Sequence, residues 1–141
     1  MNADEIITRL RALPSSPFAV VDGAAALAAI ADAPLAMPAA YVALVDERSE
    51  PNRYFGNAVG QQTGCQLAVI IYTRNVSDHI GAAAASEIGA LKRAVRRGLV
   101  GWKPASAEMI THVAGELVRA RGGVVVWQET FETTYELTES L

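Results

Sequence analysis

Near the N-terminus apolar residues recur every three or four positions: Ile6, Ile7, Leu10 and Leu13 make one stripe, and Arg9 and Arg11 fall outside it. That period predicts a short helix over Ala3 to Leu13, ended by Pro14. Pro17 to Val21 is a short Val- and Phe-containing run that reads as a strand, and Asp22-Gly23 then offers an N-cap. An alanine-rich helix follows from about Gly23 to Ala31 with Leu27 and Ile30 facing inward, and Pro34 and Pro38 close the segment after it. Ala40 to Val45 is the next strand. Gln66 to Tyr72 is almost continuously apolar, so it predicts a central strand covered on both faces. After a turn-rich passage from Thr73 to Gly81, Ala82 to Leu99 makes the longest helix. Ile88, Leu91, Val95 and Leu99 form its buried stripe, Lys92, Arg93, Arg96 and Arg97 lie away from it, and Gly98, Gly101 and Pro104 mark its end. Val125, Trp127, Phe131, Tyr135 and Leu137 alternate with Gln128, Thr130, Glu132, Thr134 and Glu136, the period-two pattern of a half-exposed antiparallel strand. The segment before it, Ser106 to Arg121, fits a helical period, but Thr111 and Gly115 weaken a helix. Arg121-Gly122-Gly123 is a hairpin turn, and a strand this long needs a neighbour, so Met109 to Val118 is assigned as strand.

One passage breaks the apolar rhythm. Asp46 to Gly64, DERSEPNRYFGNAVGQQTG, is polar, holds three glycines and a proline, and separates two strongly apolar runs. A connection this long inside a small domain is usually functional or disordered. Folded back on itself as a hairpin, it would reach on the order of 30 Å at ~3.3 Å per residue. A solvated loop and an arm that orders against a partner are both open at this stage.

Composition narrows the class. At 141 residues the chain is long enough for one domain that buries a core without disulfides or structural metals. The single Cys65 allows neither an internal disulfide nor a cysteine zinc site. A net charge of −3 argues against a surface that binds nucleic acid throughout, while leaving room for a local basic patch. The start, MNADEIITRLRA, lacks the basic opening and cleavage site of a secretory signal, so a cytoplasmic protein is expected. Apolar stretches are broken by Asp22, Asp32, Asp46 and Thr73 well short of the roughly 18 residues that a membrane helix needs.

Candidate chemistry is thin. Ser77-Asp78-His79 is suggestive as letters, yet neighbours in a turn rarely aim their side chains together, and a turn cap is the simpler role. Cys65 at the start of the central strand reads as a small buried hydrophobe, and His79 and His112 sit in no recognisable setting. No HExxH, CxxC or EF-hand spacing occurs, and Gly56, Gly60 and Gly64 spell no phosphate loop. No metal, cofactor or catalytic residue is therefore expected. Lys92, Arg93, Arg96 and Arg97 put four cations on about one and a half turns, either a solvated face or a surface for DNA or an acidic partner.

Several of these pieces stand in a familiar order: EIITRLRAL, then GCQLAVIIYTRN followed by SDHIGAAAASEIGALKRAVRRGLVGWKP, then VVVWQETFETTY. With Asp78, Gly81, Leu91, Leu99, Gly101, Trp102 and Pro104, and Trp127, Phe131 and Tyr135 on the last strand, the chain resembles phage tail terminator proteins, the gpU-like group. The resemblance covers most of the chain from Ala40 onward. It implies an α/β (α+β) single domain, with a mixed, largely antiparallel sheet of four to five strands and flanking helices. It also implies a virion structural subunit, neither enzyme nor cofactor binder, assembled in the host cytoplasm and carried in the virion tail. The implied partners are further copies in a six-fold ring, the tail tube protein and a neck or head-completion protein, with DNA passing the lumen unread and no membrane contact. The interface residues expected are Arg48, Arg53, Tyr54 and Phe55 on the polar excursion and Lys92, Arg93, Arg96 and Arg97 on the long helix. A head-to-tail connector and a small cytoplasmic α/β enzyme are the alternatives. The enzyme would need a pocket gathering His79, His112 or Cys65 with a perturbed carboxylate.

Overall fold

The apolar run around Leu67 lies at the centre of a five-stranded sheet. The computed structural model describes residues 1–74 and 82–140. Its elements are α1 (Asp4–Arg11), β1 (Val20–Gly23), α2 (Ala24–Ala28), β2 (Ala39–Ser49), β3 (Ala58–Arg74), α3 (Ala82–Leu99), β4 (Thr111–Arg121) and β5 (Val124–Ser140). The strands run in the order β1-β2-β3-β5-β4. Only β1 and β2 are parallel, and every other neighbour pair is antiparallel. The turn from β4 to β5 is Gly122-Gly123, at φ +62° and +77°, where two consecutive positive φ values match the right-handed twist of the strands.

Directly paired residues share a sheet face. Leu67, Val69 and Ile71 of β3 therefore lie with Val42 of β2 and Phe131 of β5, and this face meets Ile6 and Leu10 of α1 and Leu91, Val95 and Leu99 of α3. Each of these side chains contributes roughly 1.5–3 kcal/mol by leaving water. The helices are tied to one another and to the sheet by arginines: Arg9 Nε donates to Gly98 O and Arg11 Nε to Val21 O, both at 2.9 Å. Gly98 permits this approach, since a Cβ there would stand 2.9 Å from Leu13 Cδ1. Gly101, at φ +80°, ends α3, and its N–H donates to Ile110 O.

Four expectations change. Among the described residues the central strand is fully covered on one side only: α1 and α3 form one layer on the Leu67 face, whereas on the reverse Ala68 is buried but Gln66, Ile70 and Tyr72 are half-buried. There the Tyr41 and Tyr72 rings meet edge-on at 5.8 Å. The first strand begins at Val20 rather than Pro17. The second helix shrinks to five residues with none buried, because its alanines bring too little apolar area to hold it against the sheet, and Ile30 falls beyond its end. Its N-cap is Gly23 with no side-chain bond, Asp22 Oδ1 accepting instead from Gly23 N at 2.8 Å. The turn-rich passage with Ser77, Asp78 and His79 lies outside the described residues.

The polar excursion is built into the sheet. β2 continues to Ser49 and β3 starts at Ala58, with Ser49 paired to Thr63 and a register shift between Leu44 and Asp46 marking where the arm departs. β5 runs alongside as far as Ser140, opposite Ala58. Residues 58–66 of β3 carry this ribbon about 30 Å past Leu67, at ~3.3 Å per residue.

Candidate functional site

The arm ends in a tip organised by one amide. Asn52 Oδ1 accepts from Gly60 N at 2.8 Å and Tyr54 N at 3.2 Å, while Nδ2 donates to Tyr54 O at 3.1 Å and Ala58 O at 3.2 Å. Arg53 N donates to Gly60 O at 2.9 Å, and the Arg53 guanidinium pairs with Glu136 on β5. The Tyr54 ring lies on Gly60, where a Cβ would overlap it. With its neighbours fixed in this way, Phe55 stands 98% exposed. Arg48, lower on the arm, pairs with Asp46 at 3.1 Å.

The four cations of α3 divide into two pairs. Lys92 and Arg96, four residues apart on a helix, rise about 6 Å, close to the spacing of alternate residues on a strand. They meet Trp127 and Glu129 of β5 accordingly: Lys92 Nζ sits 4.4 Å from the Trp127 ring centroid and Arg96 grips Glu129. Arg93 and Arg97 point outward, exposed and without an ion-pair partner among the described residues.

Glu129 is fully buried and fully satisfied. Arg96 Nε and a terminal guanidinium nitrogen donate to its two oxygens at 2.8 Å each, Trp127 Nε1 donates to Oε1 at 2.7 Å, and His112 Nε2 bonds Oε2 at 2.6 Å. Burial pushes the carboxyl pKa up, but the bonds from Arg96, Trp127 and His112 and the Arg96 charge outweigh it and hold the group below the usual carboxylate range. A Cβ at Gly115 would stand 2.6 Å from Glu129 Oε1, so β4 must carry glycine there. His112 also packs edge-on against Phe131 at 5.4 Å. The cluster locks α3, β5 and β4 together. The enzyme alternative asked for a histidine beside a perturbed carboxylate, and the pair exists, but its carboxylate has no access to solvent.

Cys65 lines a hollow of about 330 Å³ at the arm's base, with Asp46, Arg48 and Glu132 among its walls. Burial and the nearby Glu47 charge push the thiol up to about 11, so it is neutral and a poor nucleophile near pH 7. Among the described residues no group of three or more His, Cys, Asp or Glu could hold a metal ion, and no helix is long and apolar enough to cross a membrane. β4 is an exposed edge strand, with Val113, Leu117 and Val118 about half in water.

The family model for phage tail terminator proteins matches residues 1–140. The chain belongs to that family. Its fold is similar to a chain in the solved structure of the "Virion of native gene transfer agent (GTA) particle", with a TM-score of 0.61 at 20% identity over 94% of this chain and 92% of that one. No curated protein matches the sequence significantly. As a member of the tail terminator family the protein is a tail structural protein with a role in tail completion.

The residues that carry the sequence resemblance are structural supports. Gly101 turns the chain, Trp102 packs beneath Arg9 at 5.0 Å, Phe131 is in the core, and the Tyr135 hydroxyl donates to Glu47 across the arm's base at 3.2 Å. Asp78 and Gly81 lie outside the described residues. Sequence reasoning gave no role at the site to Asn52, Gly60, Glu129 or Glu136. Glu129 was detectable, as an acid on the inward parity of the Trp127–Phe131 alternation. Asn52 was not, since its four bonds depend on the shape of the tip.

Proposed function

We propose that this tail terminator subunit closes the end of the completed tail tube as a six-fold ring of identical copies. The ring stops tube polymerisation and offers the surface to which the neck attaches. Assembly takes place in the host cytoplasm, catalysis plays no part, and DNA passes the lumen without being read. The observation that carries this proposal is the family match along essentially the whole chain. Two features support it. The arm holds polar backbone and an aromatic tip clear of the body, where another subunit or the tube can meet them. Arg93 and Arg97 present charge on the opposite layer.

Arm truncation tests the proposal. Ser49 and Thr63 are paired, so an Asn-Gly turn can replace residues 50–62 and close the hairpin there. The shortened protein is expected to fold, by circular dichroism and a cooperative melt, and to leave tail tubes uncapped in an assembly reaction. Normal capping by a folded, armless protein would overturn the arm's role.

A further inference from the structure

The arm tip holds one phenyl ring in water on a rigid frame. Phe55 is 98% exposed, whereas Asn52, Tyr54 and Gly60 around it are fixed by the bonds described above. Aromatic side chains bring 150–250 Å² each to a contact and are enriched at interface cores. A frame ordered in advance avoids the entropy cost of ordering on contact. The ribbon behind the tip is acidic: residues 46–64 and 132–140 hold six carboxylates and two arginines, a net of −4. Both arginines are already paired within the ribbon.

The same chain carries the complement elsewhere. Between the α1–β1 connection and α3 lies a hollow of about 400 Å³ walled by Leu13, Pro14, Pro17 and Ala94 and rimmed by Arg97. Arg93 lies one helical turn before Arg97 on the same exposed side of α3. We propose that the arm of one subunit docks on the α3 layer of a second copy. Phe55 seats in that copy's hollow, with the Arg97 guanidinium at the ring, and the acidic ribbon lies along Arg93 and Arg97. Opposite charge steers the two patches together and disfavours arm-to-arm or helix-to-helix pairing. Because the patches differ, the contact is head-to-tail and repeats with a constant rotation, the geometry that closes rings. The contact rests on the ring assembly proposed above and names the two surfaces that make it.

Benzoylphenylalanine at position 55, in protein added to tail tubes and irradiated, reads the contact directly by mass spectrometry of the cross-linked peptides. The expected product joins residue 55 of one copy to residues 13–17 or 94–97 of another. It is expected to be lost in the Arg93→Glu, Arg97→Glu double variant, whose changes fall on exposed side chains, and in Gly60→Ala, where the new Cβ displaces Tyr54 from under the tip. A cross-link to the tube protein, to a different part of the second copy, or to nothing would overturn the proposal. Capping scored by electron microscopy of the same sample separates this claim from the ring assignment. Capped tubes with the cross-link elsewhere overturn the interface alone, and uncapped tubes with the expected cross-link overturn the cap role alone.

Discussion

Replacing Arg96 with methionine removes the principal partner of a carboxylate that has no contact with solvent. Breaking a buried ion pair from one side costs about 3–5 kcal/mol, because the remaining charge is stranded in low dielectric. Arg96 keeps 38% of its side chain in water, and Glu129 retains Trp127 and His112, so the lower end applies. For 141 residues the entropy of unfolding is about 0.3 kcal/mol/K, which converts ~3 kcal/mol into a fall in Tm of about 10 °C. A pH series adds a second reading. The folded carboxyl of Glu129 is held below its ordinary value, so as pH falls the unfolded chain takes up its proton first. The stability it contributes is complete above the unfolded value of about 4.3 and drains away as pH drops through the folded one. Glu129→Gln cannot titrate, and its Tm is expected to fall less steeply than wild type below about pH 5. Thermal melts followed by far-UV circular dichroism between pH 7 and pH 3 measure both effects. An Arg96→Met protein melting within about 2 °C of wild type at pH 7, where ~3 kcal/mol was at stake, would refute the assignment of this pair as a structural lock. Identical acid slopes for wild type and Glu129→Gln would refute the linkage.

Gly115→Ala places a Cβ against Glu129 Oε1 and Trp127, and overpacking of this kind costs about 1–3 kcal/mol. Gly64→Ala, whose Cβ would find nothing nearer than 3.8 Å, is expected to melt close to wild type, and equal melting of the two variants would contradict the packing described. Reversing Arg93 and Arg97 to glutamate should move Tm by less than about 3 °C, since each surface change usually stays within ±0.5 kcal/mol, yet should impair tail completion in an assembly assay. Unaltered completion would leave these arginines as solvated surface. Cys65, buried and with its thiol raised to about 11, is expected to resist iodoacetamide at pH 8 in the folded protein and to react readily in urea. Rapid labelling of the native state would show the base of the arm to be open.

Elements with a strong period were legible. The stripe Ile88, Leu91, Val95 and Leu99 defines α3, and the period-two run through Trp127 and Phe131 defines β5, because each pattern fits only one backbone geometry. The same logic resolved Met109 to Val118: a helical period was present, but β5 needed a partner and Gly122-Gly123 supplied the turn. What stayed hidden depends on contacts between distant residues. Four cations close in sequence looked alike, yet a 100° rotation per residue turns Lys92 and Arg96 toward Trp127 and Glu129 and leaves Arg93 and Arg97 outside. The reverse face of β3 looked as buried as the front because Ala68 and Ile70 are apolar, yet Ala68 alone is buried fully there and Ile70 only half, since which face receives α1 and α3 is decided by the connections. Phe55 was expected at an interface along with Arg48, Arg53 and Tyr54. That it would stand in water between neighbours pinned by Asn52 and Gly60 depends on the folded shape of the tip.

Electron microscopy of tails assembled with and without this protein tests the central claim most directly. Without it, tubes are expected to be overlong and variable in length, and adding the purified protein is expected to cap them with a ring at one end. Tails of normal length that fail to join heads would contradict the account, placing the protein in the neck rather than at the end of the tube.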